Sequence, residues 1–300
     1  MAGMVIRAVL AMLVGAQTVA AQDTAALLRE RVVARVNEVP GATVGVVFME
    51  VGGGAAIFLN PDSVFHAAST MKVPVMIEYF RGIDAGRIRR DQDLLLGTEF
   101  RSIVDGSPYS LDASVDSDSS VFARVGQRVP LRWLVERMIV RSSNLATNTL
   151  IELLGPGKVD ATARSLGASR MKVLRGVEDG KAFQQGLNNQ TSARDLAALL
   201  VAIESGKAAS KRSCREMIDI LTAQEFNDEI PAGLPPGTRV AHKTGWITGV
   251  NHDAALVYPA GRKPYVLVVL TKGIPERSVA QRLIADISRL VWDSMARSNP

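Results

Sequence analysis

Apolar residues follow a helical period through the middle of the chain and strand-like runs near both ends. Leu28, Val32 and Val36 recur every four residues, as in a helix. Two apolar runs at 42–51 and 55–59 flank three glycines, which is typical of a β-hairpin. Helical periodicity after residue 70 is clearest at 71–83, 131–140, 144–154, 158–166 and 191–205.

Strand patterns return at 239–243, 254–258 and 265–271, and a final helical stripe runs from Val279 to Val291. This order predicts an α/β (α+β) fold in which both chain ends build one antiparallel sheet flanked by terminal helices. A sheet lobe of 22–65 and 225–300 would carry an inserted all-helical lobe of 66–224. A ligand cleft is expected between these lobes. Residues 102–128 fit no period and are interpreted as a long loop, in a position to overhang the cleft.

Residues 1–21 are interpreted as a signal peptide rather than as part of the catalytic domain at 22–300. Arg7 precedes a short apolar stretch, and Val19-Ala20-Ala21 offers small residues for cleavage. Cys214 is the single cysteine, so the signal has no cysteine to lipidate. We expect an exported, periplasmic or secreted monomer without stable membrane insertion after cleavage; a retained anchor is the alternative.

Composition narrows the class of protein. The chain has 300 residues, 47% of them apolar and 22% charged, which is typical of a globular protein. The net charge of +5 comes with only short basic clusters, at 87–90 and 207–212. We interpret these clusters as solvated faces, with an anionic partner such as the cell envelope as the alternative, and we expect no nucleic acid as partner.

Ser69-Thr70-Met71-Lys72 is the first candidate for chemistry. A serine hydroxyl needs a base to become a nucleophile, and residues three apart share one helix face, so Lys72 can reach Ser69. Pro74 predicts that the helix begins near 69–71, which places its positive end beside the serine. A second Ser-x-x-Lys, at 169–172, runs into a strand-like stretch that would separate its side chains, and we reject it.

Two further motifs follow. Ser142-Ser143-Asn144 lies between helical segments, where a hydroxyl can relay a proton and an amide can bind a carbonyl, although such residues also serve as helix caps. Lys243-Thr244-Gly245 ends a predicted strand, where a cation and a hydroxyl suit a carboxylate and glycine permits close approach.

These three motifs in this order resemble the class A β-lactamases and penicillin-binding proteins. The resemblance implies a small-molecule β-lactam substrate and an acyl-enzyme on Ser69, activated by Lys72. It also implies that Ser142 protonates the lactam nitrogen, Asn144 holds the side-chain amide, and Lys243 and Thr244 hold the carboxylate. The oxyanion hole would be formed by the backbone N–H groups of Ser69 and Trp246.

The sequence departs from the family pattern in three places. Ser143 stands where the family has Asp, and Trp246 stands where it has a small residue, so the groove is expected to be reshaped unless Trp246 packs in the core. The family's Arg-x-Glu-x-x-x-Asn is replaced by the sequence Arg175-Gly176-Val177-Glu178-Asp179. Glu178 is the candidate for activating the deacylating water, with Asp179 the weaker candidate.

His66, His242 and His252 match no zinc spacing, and we expect no metal or cofactor. His242 is expected to pack or cap, and His252 is a candidate cation for the substrate carboxylate. Three functions remain open: a β-lactamase, a peptidoglycan D,D-peptidase or related penicillin-binding hydrolase that deacylates slowly, and a non-catalytic β-lactam or wall-fragment binding domain.

Overall fold

A five-stranded antiparallel sheet forms the frame of the molecule. The computed structural model describes residues 24–297. The strands in chain order are β1 Thr43–Glu50, β2 Ala56–Leu59, β3 Phe65–His66, β4 Asp93–Leu95, β5 Glu99–Arg101, β6 Pro108–Ser110, β7 Arg128–Pro130, β8 Gln190–Thr191, β9 Arg239–Ile247, β10 Val250–Tyr258 and β11 Tyr265–Lys272. The main sheet has the order β2-β1-β11-β10-β9, and the other strands pair two by two. Because β9 is an edge strand, one side of its backbone is left free of a strand partner.

The helices are α1 24–37, α2 Lys72–Asp84, α3 Ser119–Phe122, α4 Leu131–Val140, α5 Asn144–Leu154, α6 Pro156–Ser165, α7 Gly180–Gln184, α8 Ala193–Glu204, α9 Lys211–Thr222 and α10 Arg277–Arg297. Short 3₁₀ turns lie at Ala68–Met71, Ala113–Val115 and Pro231–Gly233. Side-chain caps set several of the helix starts. The Ser192 side chain accepts from the Asp195 N–H, and Asp195 bonds back to the Ser192 N–H and hydroxyl.

Two apolar cores lie on opposite faces of the sheet. In β1, Val44, Val46 and Phe48 belong to the core shared with α1 and α10, whereas Val47 belongs to the larger core shared with the other helices. This alternation is the period of two that a strand imposes on its side chains. The sheet is therefore buried on both faces, and its edge at β9 is where a ligand can meet the backbone.

The predicted fold class is confirmed: both chain ends contribute strands, and the intervening chain is mostly helical. Helices α4 and α5 have the predicted bounds, and β9 and β10 are longer than predicted. The division into lobes at residues 65 and 224 remains a prediction. Helices α8 and α9 fall in the predicted helical lobe but pack on the sheet. The signal peptide, residues 1–21, lies outside the described residues. Within 24–297, no helix combines the length and apolarity needed to cross a bilayer.

One expectation is wrong, and one helix was not predicted. Residues 102–128 are not one long loop, since they contain β6, a 3₁₀ turn and α3, and within the described chain none of them lines the cleft. Helix α9 was not predicted, because its many charges obscure its apolar stripe. Cys214, Met217 and Leu221 form that buried stripe, and Ser210 caps the helix within the supposed solvated cluster.

Removal of a buried side chain from α10 tests the packing on the sheet face that α1 and α10 cover. Ile287 is fully buried there, so Ile287→Ala is expected to lower the free energy of unfolding by about 2–5 kcal/mol. Urea denaturation measures this loss. Arg289→Ala, on the exposed face of the same helix, is the matched control and should stay within about 0.5 kcal/mol of wild type. Equal losses in the two variants would contradict this packing.

Candidate active site

Ser69 lies in the 3₁₀ turn Ala68–Met71, which continues directly into α2. The Lys72 N–H donates to the Ser69 carbonyl, and in a 3₁₀ turn side chains three apart are eclipsed. Ser69 and Lys72 therefore share one face, as the sequence predicted, and Pro74 occupies the first turn of α2. Ser69 is partly exposed and lines a cleft of about 360 Å³.

Lys72 is completely buried beneath this cleft, and no carboxylate among residues 24–297 forms an ion pair with it. Its Nζ lies 2.7 Å from the Ser142 carbonyl oxygen, 2.9 Å from Asn144 Oδ1 and 3.2 Å from Ser142 Oγ. Burial, reinforced by the charge of Lys243, holds the pKa of Lys72 well below its usual range despite the opposing pull of Asp116 and Glu178. A neutral amine has two N–H groups for the two strong acceptors and keeps a lone pair to take a proton.

Lys243 approaches the same hydroxyl from β9. Its Nζ donates to Ser142 Oγ over 3.0 Å and to the Thr244 carbonyl over 2.8 Å. Burial lowers the pKa of Lys243 to about 7, against the opposing effect of Asp253 and Glu229. The Ser142 hydroxyl is thus placed between two amino groups, 3.2 Å from the one and 3.0 Å from the other.

Gly245 brings β9 against the turn that carries the nucleophile. A Cβ at this position would lie 2.9 Å from the backbone nitrogens of both Ser69 and Thr70. Only glycine allows this approach without displacing backbone. The end of β9 and the Ser69 turn are therefore held together at the cleft, and Trp246, the next residue, lines it.

Asp116 supplies a carboxylate beside the second motif, where Ser143 stands in place of the family's Asp. Ser143 is buried and caps α5 by accepting from the Ala146 N–H. Its hydroxyl donates to Asp116 Oδ2 over 3.1 Å, and the Leu145 N–H donates to the same oxygen over 2.8 Å. The sequence analysis missed Asp116, because nothing in the local pattern of 102–128 marks it.

Glu178 reaches the cleft on the segment that precedes α7. Asn144 Nδ2 donates to Glu178 Oε1 over 3.1 Å, and Glu178 is exposed to the cleft that Ser69 also lines. Its backbone has φ 62°, and Ser142 has φ 57°, both in the left-handed region. Side chains with a Cβ avoid this region unless their surroundings impose it, and such strain concentrates at functional sites.

Asn148 holds the backbone of the Glu178 segment. Its Oδ1 accepts from the Val177 N–H over 2.6 Å, and its Nδ2 donates to the Val177 carbonyl over 2.9 Å. A Cβ on Gly176 would lie 2.4 Å from the same amide oxygen, so a side chain at this position would displace the Asn148 amide from its contacts. Asn148 was not among the predicted site residues, yet this two-sided clamp is what positions Glu178.

Arg175 and Asp179 have structural partners. Arg175 donates to the Leu187 and Gly176 carbonyls over 2.8 and 2.9 Å, so it closes the segment on itself. Asp179 accepts from the Ser102 hydroxyl and from the N–H groups of Ile103 and Ala182. Burial would raise the pKa of Asp179, but these hydrogen bonds outweigh it and lower the pKa overall. Its lone pairs are occupied by structure, which leaves Glu178 the freer carboxylate.

Trp246 is not a core residue, since 54% of it is exposed. The Arg277 guanidinium lies over its ring, 4.5 Å from the centroid. His252, the candidate cation, is also reassigned: it is completely buried, and burial lowers its pKa to about 4, so it is neutral near pH 7. Its ring bonds to backbone, with Nε2 2.9 Å from the His66 carbonyl oxygen.

His242 is likewise buried, with Nδ1 3.0 Å from Asp253 Oδ1 on the sheet face opposite Lys243. Between residues 24 and 297, no cluster of three His, Cys, Asp or Glu side chains could hold a metal ion.

The predicted site residues thus gather at one place. Ser69, Asn144, Glu178 and Trp246 line the cleft, and Lys72 lies beneath it. A second set is contributed by the edge strand and the turn before α5: Ser142, Lys243, Thr244 and Gly245. Lys243 and Thr244 are almost fully buried, so only a small part of each is open to a ligand.

Comparison with known proteins agrees with this geometry. A family model described as the β-lactamase enzyme family matches residues 27–295. The β-lactamase AST-1 of Nocardia asteroides is 29% identical over 267 residues, covering 87% of this chain and 82% of that protein. The carbapenem-hydrolyzing β-lactamase KPC of Klebsiella oxytoca is 27% identical, covering 85% of each. The chain belongs to the β-lactamase enzyme family, of the class A type.

Solved structures show the same fold. The crystal structure of a β-lactamase from Sphaerobacter thermophilus superposes with a TM-score of 0.77 at 29% identity, covering 90% of this chain and 98% of that one. PBP-A superposes with a TM-score of 0.78 at 28% identity, covering 90% and 96%. A mutant of PBP-A, solved as an acyl-enzyme complex with penicillin G, has a TM-score of 0.76 at 28% identity and covers 91% and 97%.

The charge states of the two buried lysines are directly measurable. With ¹³C-labelled lysine, the carbons bonded to Nζ of Lys72 and Lys243 should report pKa values far below the 10.5 of an unperturbed lysine, with Lys243 near 7. Lys72→Met and Lys243→Met assign the two signals, and the protein unfolded in urea is the reference. Two titrations near the unfolded value would contradict this account of the site.

Proposed function

We propose that the protein is a serine β-lactamase that opens the lactam amide through an acyl-enzyme on Ser69. One observation carries the proposal: the partly exposed Ser69 hydroxyl and the exposed Glu178 carboxylate line one cleft, and a buried lysine amine with a pKa well below its usual range lies one turn from the hydroxyl. The hydroxyl and amine suffice for acylation, and the carboxylate adds a means of hydrolysis. The family relationship supports this reading.

Acylation begins with neutral Lys72. Its lone pair accepts the Ser69 proton as Ser69 Oγ attacks the lactam carbonyl. The resulting ammonium lies 3.2 Å from Ser142 Oγ, through which a proton passes to the lactam nitrogen as the carbon–nitrogen bond breaks. Lys243, 3.0 Å from the same oxygen, favours release of the Ser142 proton because its charge stabilises negative charge there.

The carbonyl oxygen becomes an oxyanion during attack. The backbone N–H groups of Ser69 and Trp246 are the proposed donors, and the contact at Gly245 sets their spacing. Such donors act in the transition state, and one of them is typically worth ~10²–10³ in rate.

Deacylation requires an activated water. Glu178, bonded to Asn144 and exposed to the cleft, is the proposed base that takes a proton from water as it attacks the ester. Lys243 and Thr244 on β9 are the proposed attraction for the substrate carboxylate, and Asn144 for the acylamino group. We also propose export, on the N-terminal sequence.

A D,D-peptidase or related penicillin-binding hydrolase is the second candidate, favoured by the similarity to PBP-A. The placement of Glu178 favours the β-lactamase, because a slowly deacylating enzyme does not need this base. The two candidates differ in whether the acyl-enzyme turns over.

Three variants with nitrocefin, a chromogenic cephalosporin, test the proposal. Wild type should turn over steadily, and Ser69→Ala should lose turnover. Glu178→Gln should acylate but deacylate ~10²–10⁴-fold more slowly, the typical contribution of a general base, so intact-mass spectrometry should show an adduct on nearly every molecule. Glu152→Gln makes the same change on the exposed face of α5 and should behave as wild type.

The alternatives give different results. A stable adduct on wild type without turnover would replace the β-lactamase with the D,D-peptidase reading. Normal hydrolysis by Glu178→Gln would show that another group activates the water. Full activity in Ser69→Ala would overturn the proposal.

The pH profile of kcat/KM should be bell-shaped, because this parameter reports groups in the free enzyme. The acid limb arises as Lys72 becomes protonated and can no longer accept a proton. The alkaline limb begins near pH 7, where Lys243 loses the charge that attracts the carboxylate, with a fall of roughly 10- to 100-fold.

Lys243→Arg separates the two limbs, since arginine stays charged across this range. The alkaline limb should move up by more than a unit, whereas the acid limb should change much less. An unchanged alkaline limb in this variant would show that another group controls it.

A further inference from the structure

Trp246 gives the cleft a wall that the chemistry above does not use. Only its backbone N–H enters the proposed oxyanion hole, yet its indole is more than half exposed and lines the cleft. An exposed tryptophan beside a reaction centre presents a large, flat and rigid surface to whatever lies there.

A chain of contacts holds this indole in place. Arg277, the first residue of α10, stacks on one face of the ring, and its guanidinium lies 3.7 Å from the fully buried Glu229. Glu229 is in turn held by Asn251 and Gln281, whose amides donate to its Oε1 over 3.4 and 3.3 Å. Asn251 is the residue paired with Trp246 across β9 and β10. The ring is therefore supported from the sheet and from α10.

The Arg277 guanidinium occupies one face of the indole, and among the described residues no second group stacks on the ring. Trp246 lines the cleft, whereas Arg277 is not among the cleft-lining residues. The face opposite Arg277 is therefore the one on which a ligand in the cleft would stack. A cation on the far face strengthens this platform by fixing the ring's orientation.

The position along β9 indicates which part of a substrate meets this face. Thr244 and Trp246 are two residues apart on one strand, so their side chains point to the same side, roughly 7 Å apart. Thr244 is the proposed carboxylate contact. A group that stacks on Trp246 must therefore be bonded close to the carboxylate-bearing carbon of the substrate.

We propose that Trp246, positioned by Arg277, is a specificity-determining residue that favours cephalosporins with a flat aromatic group on the ring carbon next to the carboxylate-bearing carbon. This assignment rests on the proposed β-lactamase function and names the substrate class within it. Aromatic stacking is directional and adds to the burial of area, so a planar aryl group gains more than a small saturated one.

Nitrocefin and cephalothin form a suitable pair of probes. Both carry the same thienylacetamido side chain and the same carboxylate, but nitrocefin has an aromatic styryl group at the neighbouring carbon and cephalothin has an acetoxymethyl group. The measured quantity is the ratio of their kcat/KM values, compared between variants and wild type so that intrinsic reactivity cancels.

Trp246→Ala should lower the nitrocefin-to-cephalothin ratio about 3- to 10-fold, and Trp246→Phe should restore most of it. Arg277→Met should give a smaller fall, with KM for nitrocefin rising more than kcat drops. Phe183→Ala is the matched control, because Phe183 is an equally exposed aromatic of the same cleft on α7. It should leave the ratio unchanged, whatever it does to each substrate alone.

The outcomes separate two failures. An unchanged ratio in Trp246→Ala, with turnover intact, would overturn the stacking role while leaving the β-lactamase function in place. Equal losses for both substrates in Arg277→Met would show that Arg277 acts on the shared carboxylate and not through the ring. Absence of turnover and of adduct with either probe in wild type would overturn the proposed function itself, and the substrate class with it.

Discussion

Two buried lysine amino groups meet one serine hydroxyl, and the rest of the site depends on which of these amines carries a proton. Lys72 and Lys243 are both fully buried and both contact Ser142 Oγ. Burial lowers the pKa of both amines, and the charge of Lys243 lowers that of Lys72 further. Lys72, one turn from Ser69, is therefore the amine proposed as the base for its hydroxyl.

The fold is built so that these groups cannot separate. Lys72 comes from the first turn of α2, Ser142 from the turn before α5, and Lys243 from the edge strand β9. Gly245 lets that strand press against the Ser69 turn, and both Ser142 and Glu178 have a left-handed backbone conformation. Preorganisation of this kind means that little rearrangement is needed when charge develops during reaction.

Short-range signals in the sequence predicted much of this. The apolar period located α4 and α5 to the residue, and motif spacing placed Ser69 with Lys72 and put Lys243 on a strand, although that strand continues to Ile247. Contacts between segments that are distant in sequence could not be predicted from such short-range signals. Asp116 serves the second motif from 29 residues before Leu145, and the clamp on Val177 comes from Asn148, 29 residues earlier. His252 looked like a cation in sequence, but only its burial shows that it is neutral.

Neutron diffraction from crystals of the resting protein near pH 6 tests the assignment of charge most directly, since it locates hydrogen atoms on each Nζ. The account predicts two hydrogens on Lys72, with its lone pair toward Ser69 Oγ, and three on Lys243. Three hydrogens on Lys72 would contradict it, because the nucleophile would then have no base beside it.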